Sequence, residues 1–383
     1  MKLFKSLLVA PATLGLLAPV AATANEVTIS DFAPAEQLAI TNSRVDGLEA
    51  RLNNFEAGSF SETTTASFSV DFAIGAVDGK GATTTITDGD EALQAAYGFQ
   101  IDLNTSFTGE DSLDISIDAG NGGLPGATFA TQALAEFDLN GGSEALTVDG
   151  VSYTFPIGGA TAFVGDNTDG SLLFTTACVY GGPSNTLDDC ANVTAGITGG
   201  GVAIGAAYDF DNGFSTAFGA QFSETGIATD EADDSYALNA AYITDSYGAS
   251  ITYAVVEDST TGADNDTYIA FNGYYSFDNG LNISAGYEIG DLDNAAATAD
   301  ETEAYFFGIN GEVGPGELGA AAGTYGVMTE ASGSIPDRMM YEIYYSYPVN
   351  DGMTITPLIY TVEAENATDQ DETGIMVKTS FSF

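Results

Sequence analysis

The chain has 383 residues, 46 of them Gly, and contains no Trp and no His. Seven Lys and Arg stand against 55 Asp and Glu, a formal net charge of −48, which excludes nucleic acid as a partner because phosphate binding runs on Lys and Arg. Without His the usual Ser-His-Asp and Cys-His arrangements are impossible and zinc loses its commonest nitrogen ligand, so the chain is read as a non-enzyme with no cofactor.

Lys2 and Lys5 precede an apolar run from Leu7 to Val20, followed by Ala22-Thr23-Ala24. A basic start, an apolar centre and an A-x-A site predict a signal peptide over residues 1–24, cleaved after Ala24. No later run reaches the about 18 to 20 apolar residues of a membrane helix.

Residues 25–57 are predicted to form a short linker and a coiled-coil helix. Leu38, Val45 and Leu52 fall seven apart, with Thr41, Leu48 and Phe55 at the intervening d-like positions, an a/d seam over nearly three heptads. In that register Arg44 and Arg51 occupy g and Glu49 and Glu56 occupy e, which suits a parallel, self-associating helix. A helix this short is marginal alone, so a homo-oligomer is expected. The alternative is a helix lying on the surface of its own domain.

From residue 58 to 383 the period changes from helical to two. Ile375, Val377, Thr379, Phe381 and Phe383 alternate with Met376, Lys378, Ser380 and Ser382. Leu281, Ile283, Ala285, Tyr287 and Ile289 alternate with Asn282, Ser284, Gly286 and Glu288. Such segments mark the strands of a transmembrane barrel, although a soluble sandwich shares the period. The connections separate the two. Tight turns at Asp211-Asn212-Gly213, Asp245-Ser246-Tyr247, Asp278-Asn279-Gly280, Gly314-Pro315-Gly316 and Asn350-Asp351-Gly352 alternate with long acidic loops at Glu224–Asp234, Glu257–Asp266, Asp291–Glu301, Thr329–Arg338 and Ala364–Glu372. Short turns on one side and long loops on the other are the pattern of an outer-membrane barrel.

Eleven strands follow Gly201, and both ends of the barrel must lie on the periplasmic side, so the total is even. Ala66–Val77, Ala95–Phe107, Ser112–Ala119, Ser171–Tyr180 and a segment near Val148–Ile157 supply five more. The fold class predicted is therefore all-β, an antiparallel transmembrane β-barrel of about sixteen strands. Cys178 and Cys190 bracket a turn-rich segment, and in an oxidising envelope a lone close pair reads as a loop disulfide. Asn282, Ser284, Glu288, Lys378 and Ser380 are candidates to line a hydrated lumen. With basic residues so scarce, cations and neutral solutes are expected to pass in preference to anions. The terminal Phe383, behind Phe381, resembles the signal read by the outer-membrane barrel-assembly machinery.

The segments Ser43-Arg44-Val45-Asp46-Gly47-Leu48-Glu49-Ala50-Arg51 and Phe55-Glu56-Ala57-Gly58-Ser59-Phe60-Ser61-Glu62-Thr63-Thr64-Thr65 resemble the helix-to-barrel junction of cyanobacterial outer-membrane porins, which are similar to the carbohydrate-selective porins. The signal peptide and the C-terminal Thr379-Ser380-Phe381-Ser382-Phe383 resemble marine members. The resemblance implies a trimeric porin in outer-membrane lipid that passes small solutes and inorganic ions, some members being linked to sugar or iron uptake. One departure is large. Only Asn25 to Gln37 lies between the signal and the helix, where typical members carry an S-layer-homology domain. The alternative from another class is a non-conducting structural barrel or a secreted β-rich surface protein.

Overall fold

The computed structural model describes residues 64–78, 93–121, 135–137, 139, 145–227, 229, 232–257, 265–292, 301–329, 338–364 and 371–383. The predicted signal peptide, the linker, the coiled-coil helix with Leu38, Arg44, Val45, Leu48, Glu49, Leu52, Arg51, Phe55 and Glu56, and also Lys80, lie outside the described residues.

The strands in chain order are β1 (Thr64–Asp78), β2 (Gln94–Thr105), β3 (Ser112–Gly120), β4 (Thr147–Ile157), β5 (Ala160–Asp166), β6 (Val202–Asp209), β7 (Phe214–Phe222), β8 (Ser235–Ile243) and β9 (Tyr247–Val256). They continue as β10 (Asp266–Ser276), β11 (Leu281–Asp291), β12 (Glu301–Val313), β13 (Gly316–Thr324), β14 (Met328–Thr329), β15 (Met339–Asn350), β16 (Met353–Val362) and β17 (Glu372–Ser382). β14 is a two-residue ladder on β12. The other sixteen are staves, each antiparallel to its neighbours, and β1 pairs with both β2 and β17, so the sheet closes into a barrel. Closure leaves no unpaired edge, which lipid would not tolerate.

The seam is sealed to the last residue. Ten residue pairs join β1 to β17, from Ser69↔Ser382 to Asp78↔Thr373. Beyond them Phe68 and Phe383 exchange both backbone hydrogen bonds, 3.0 and 3.1 Å, and their rings stack at 5.7 Å. Phe381 meets Phe72 edge-on at 6.2 Å.

Alternation sorts the side chains as the period predicts. Phe72, Phe218, Leu238, Ile251, Phe271, Phe307, Ile343 and Ile359 are exposed on the outside, while Ala73, Ala217, Ala254, Ala304 and Leu358 are buried on the inside. Aromatic pairs ring the turn end: Tyr153 with Phe155, Tyr208 with Phe210, Phe214 with Tyr242, and Tyr275 with Phe277. Rings at a membrane–water boundary form the girdle of such barrels. The tight turns use left-handed residues, Asp211 and Gly213, Gly280 and Gly314 among them, as two-residue hairpins require.

One predicted early strand needs correction, and one stave was not predicted. Ser171–Tyr180 is not a stave; it carries no ladder and lies inside the barrel. The missing stave is β5, seven residues long and joined to β4 by Gly158-Gly159 alone. The two errors cancel, so the count of sixteen stands.

Deleting Phe383 removes two ladder bonds and a stacked ring at the seam, a loss of roughly 1–3 kcal/mol. The expected result is a smaller folded fraction after refolding into detergent, read as the band that shifts on heating before electrophoresis.

Candidate functional site: an inward loop and an acidic wall

The segment between β5 and β6, residues 167–201, folds into the barrel. Its outgoing limb is extended, and every second amide is taken by a wall side chain. Thr175 donates to Asn239 Oδ1 (3.0 Å), Ala177 to Ser250 Oγ (2.8 Å) and Val179 to Ser284 Oγ (3.1 Å). These acceptors sit on β8, β9 and β11, so the limb crosses the staves. Its amides find partners in side chains instead of a neighbouring backbone, which is why an alternating sequence here is not a stave.

At the far end Tyr180 donates its hydroxyl to Glu342 Oε1 on β15 (2.6 Å). Cys178 and Cys190 are joined by a disulfide that closes the turn. On the return, Thr194 and Ala195 donate three bonds of 2.8–3.0 Å to the Glu288 carboxylate, and Asn272 Nδ2 donates to Cys190 O (2.7 Å). Near its root the loop is tied by Gln221, which accepts from Gly170 at 3.1 Å. Asn167, Cys190, Ala191 and Ile197 all hold positive φ without being Gly, a cost borne only where contacts over-determine the backbone.

Inward glycines make room for this close approach. A Cβ on Gly219 would strike the Gly170 carbonyl, and one on Gly286 would strike that of Cys190. Glycine inside a strand is a sequence sign of another backbone lying against it, and these two positions carried that sign.

The lumen candidates fare differently from one another. Asn282, Ser284, Glu288, Lys378 and Ser380 all occupy inward positions of β11 or β17. Ser284 and Glu288 are 2% and 1% exposed and are covered by the loop they hold, so as water-facing lining they are corrected: their polarity serves the loop. Asn282 and Ser380 are half-buried. Lys378 places Nζ 5.3 Å from the centroid of the Phe137 ring.

Phe137 belongs to a second intruding segment, a 3-10 turn at Ala135–Phe137 between β3 and β4. It meets the first loop directly. Asn185 donates its amide to Glu136 O (2.9 Å), and Thr186 Oγ1 donates to the Glu136 carboxylate (3.2 Å). Burial raises the Glu136 carboxyl above the ordinary range, the Thr186 bonds partly opposing this.

The interior is thus divided. Phe137, Leu139, Tyr180 and Leu187 from the two loops bury Phe306, Met340, Tyr344, Leu358, Tyr360, Val362 and Met376 against the staves from β12 to β17, together with Ala73, Val77 and Ala96. The opposite wall is polar. Asp71, Asp102, Asp114 and Asp118 point inward from β1, β2 and β3 and are half-buried. Ser116 and Gln100 donate to Asp102 Oδ1 at 2.8 and 2.7 Å, Asn104 to Asp114 Oδ1 at 2.5 Å, and Thr147 to Asp118 Oδ1 at 2.8 Å. Between this wall and the root of the inward loop opens a cavity of about 610 Å³, lined by Asp114, Asp149, Asp169, Ser116, Ser152 and Thr154 among others, with no Lys or Arg in its lining.

No protein-family model matches the chain. It is 25% identical to an uncharacterized protein of Nostoc sp., the match covering 94% of this chain and 74% of that one. Its fold is similar to that of OprB from Pseudomonas putida, with a TM-score of 0.60 at 11% identity, covering 84% of this chain and 94% of the other. It is also similar to an anion-selective porin from Comamonas acidovorans, TM-score 0.60 at 14% identity over 84% and 99%. A variant of the Rh. blastica porin gives 0.54 at 13% over 84% and 100%. The fold is that of porins.

Two outcomes are expected from the loop's anchoring. Gly286→Val pushes the loop off the wall and leaves the ladder intact, so single-channel conductance rises while heat-shift behaviour persists. Cys178→Ser with Cys190→Ser destabilises by about 3 kcal/mol in the chain-entropy picture, seen as unfolding at lower guanidinium and faster amide exchange over residues 171–197.

Proposed function

We propose that this protein is an outer-membrane porin, a water-filled channel through which small hydrophilic solutes and inorganic ions diffuse, with preference for cations. The observation that carries the reading is an acidic inner wall, Asp71, Asp102, Asp114 and Asp118 on inward positions of β1 to β3, beside a cavity that Asp114, Asp149 and Asp169 line with no basic residue among the described ones. Asp114 and Asp118 stand four residues apart on β3, about 13 Å along the strand, with Asp102 opposite the interval between them. Asp102 thus lies roughly 8 Å or less from each of them, within the Debye length of about 8 Å in physiological salt, so the three fields overlap in one negative stripe. A stripe on low-dielectric walls concentrates cations and repels anions. Diffusion down a gradient needs no cofactor.

The finer reading follows the resemblance at the chain's two ends. It has a signal peptide over residues 1–24, a coiled-coil helix over the segment to residue 57 that joins three protomers, and a barrel from residue 58 placed in outer-membrane lipid by the assembly machinery acting on Phe383. Relation to the cyanobacterial and carbohydrate-selective porins makes sugars or iron species natural cargo. The fold likeness to OprB and the match to the Nostoc protein support that relation. A plugged, non-conducting barrel is the second reading, and the apolar filling against β12 to β17 is the observation in its favour.

Planar-bilayer recording across a salt gradient separates them. The expected result is stepwise current in groups of three, with a cation-selective reversal potential; folded protein that yields no steps would move the reading to the plugged barrel. Replacing Asp102, Asp114 and Asp118 together by Asn is expected to shift the reversal potential markedly toward zero with little change in folding. Acidification also acts on the loop. Desolvation inside the barrel, with Glu288 and Asp169 nearby, pushes the Asp189 carboxyl up to about 6. A raised carboxyl loses its charge as pH falls through that value, so the share of cation preference that Asp189 contributes should decline around pH 6, and Asp189→Asn should remove that component.

A further inference from the structure

The described residues contain two cations, Arg338 and Lys378, and Lys378 is the one on an inward stave position within the barrel wall. A lumen lysine in a porin is ordinarily a selectivity charge set against acids. Across the seam, however, Lys378 pairs in register with Ala73, while the β1 carboxylate of Asp71 stands opposite Ser380. Its ammonium is aimed at the Phe137 ring, 5.3 Å from the centroid, inside the about 6 Å within which a cation is held by an aromatic face.

Phe137 is 3% exposed and Glu136 is 5% exposed. The turn that carries them is wedged between the seam staves and the inward loop. On one side Phe137 and Leu139 join a cluster with Ala73, Val77, Ala96 and Met376. On the other, Glu136 receives Asn185 and Thr186 of the disulfide-closed turn. The 3-10 turn therefore joins the seam to the tip of the inward loop, and together they fill the side of the lumen bounded by β12 to β17, reaching Ala73, Val77 and Ala96 across the seam.

We propose that Lys378 is a positioning residue: it latches the turn at Ala135–Phe137 onto the seam, and the latched turn is a second constriction element that confines flow to the acidic half of the barrel. The proposal rests on the open-channel reading for its first readout and has a second that does not. Removing the latch frees the turn and lets water into the half it fills. Conductance then rises, while ion preference, set by the aspartates, moves little. A plain lining charge does the reverse: its removal strengthens cation preference and leaves the bore as it was.

The test is single-channel recording of full-length wild type, Lys378→Met, Lys378→Arg, Phe137→Ala and Phe137→Leu, each first shown to be folded by its heat-dependent gel shift. Lys378→Met and Phe137→Ala should each raise conductance at least about twofold, as expected for widening the narrowest section, and the two combined should add nothing further. Lys378→Arg, which keeps a cation for the ring, should retain wild-type conductance. Should Lys378→Met fail to fold, Phe137→Leu, which keeps the bulk and loses the aromatic face, carries the same expectation from a residue outside the ladder. Unchanged conductance with a reversal potential moved toward cations in Lys378→Met would overturn the latch. If wild type shows no steps, the open-channel reading fails by itself. The latch then stands if Phe137→Ala or Lys378→Met gains steps, and falls if neither does.

Discussion

A strand that crosses lipid has no water to turn to, so each of its amides and carbonyls must find a partner within the protein. That demand fixes most of what is seen here. It makes the sheet close on itself, β1 against β17, and it holds the chain to its last residue, where Phe383 shares both its backbone groups with Phe68. It forces an even number of staves once both ends of the barrel lie on one side. Closure in turn leaves each strand with two surfaces of opposite character, and the period of two follows from that.

The same demand governs the backbone that enters the barrel. The inward loop has no ladder, so its amides need acceptors from the wall, and the wall supplies them from successive staves: Gln221, Asn239, Ser250, Ser284 and Glu288. Inward polarity on this arc is therefore a mould for the loop more than a surface for water. The disulfide and the fitted glycines complete the mould, Gly286 by admitting the Cys190 carbonyl. A constriction held by side chains of six or more staves is rigid because the staves are rigid, and its position is as fixed as the register.

How far the fold was legible follows from which of these rules act locally. The eleven staves after Gly201 could be read because each carries its own period and turn: Leu281–Ile289 alternates without a break, and Asp278-Asn279-Gly280 is a hairpin by chemistry alone. Ser171–Tyr180 misled because alternation records that two sides of an extended chain differ, and not what pairs with its backbone. β5 was hidden because seven residues with Gly and Ala among them carry too little pattern. Within the site, the inward direction of Ser284, Glu288 and Lys378 was legible from the period. What covers them was not, since contact with a loop about 90 to 240 residues away in sequence leaves no local mark; the nearest thing to one was the inward glycines. The aspartates of β1 to β3 were passed over because their acidity merged with the general acidity of a chain at −48.

That general acidity has a consequence the barrel's interior makes specific. A uniform excess of carboxylates would make the potential negative everywhere and select weakly, because salt screens charges that face bulk water. The interior is not uniform. Apolar side chains and tyrosines fill the side from β12 to β17, where Tyr180, Tyr344 and Tyr360 donate to Glu342, Glu317 and Glu372, so carboxylates on that side are tied into hydrogen bonds. On the β1 to β3 side, Asp71, Asp102, Asp114 and Asp118 are inward and half-buried, and Asp114 with Asp149 and Asp169 borders an open cavity. Filling one half with low-dielectric matter narrows the aqueous part and brings it close to those acids, and in the proposed channel both changes strengthen the field an ion would meet. In the channel we propose, the apolar half contributes to selectivity without touching the solute: it determines where the water is, and the aspartates determine what that water admits.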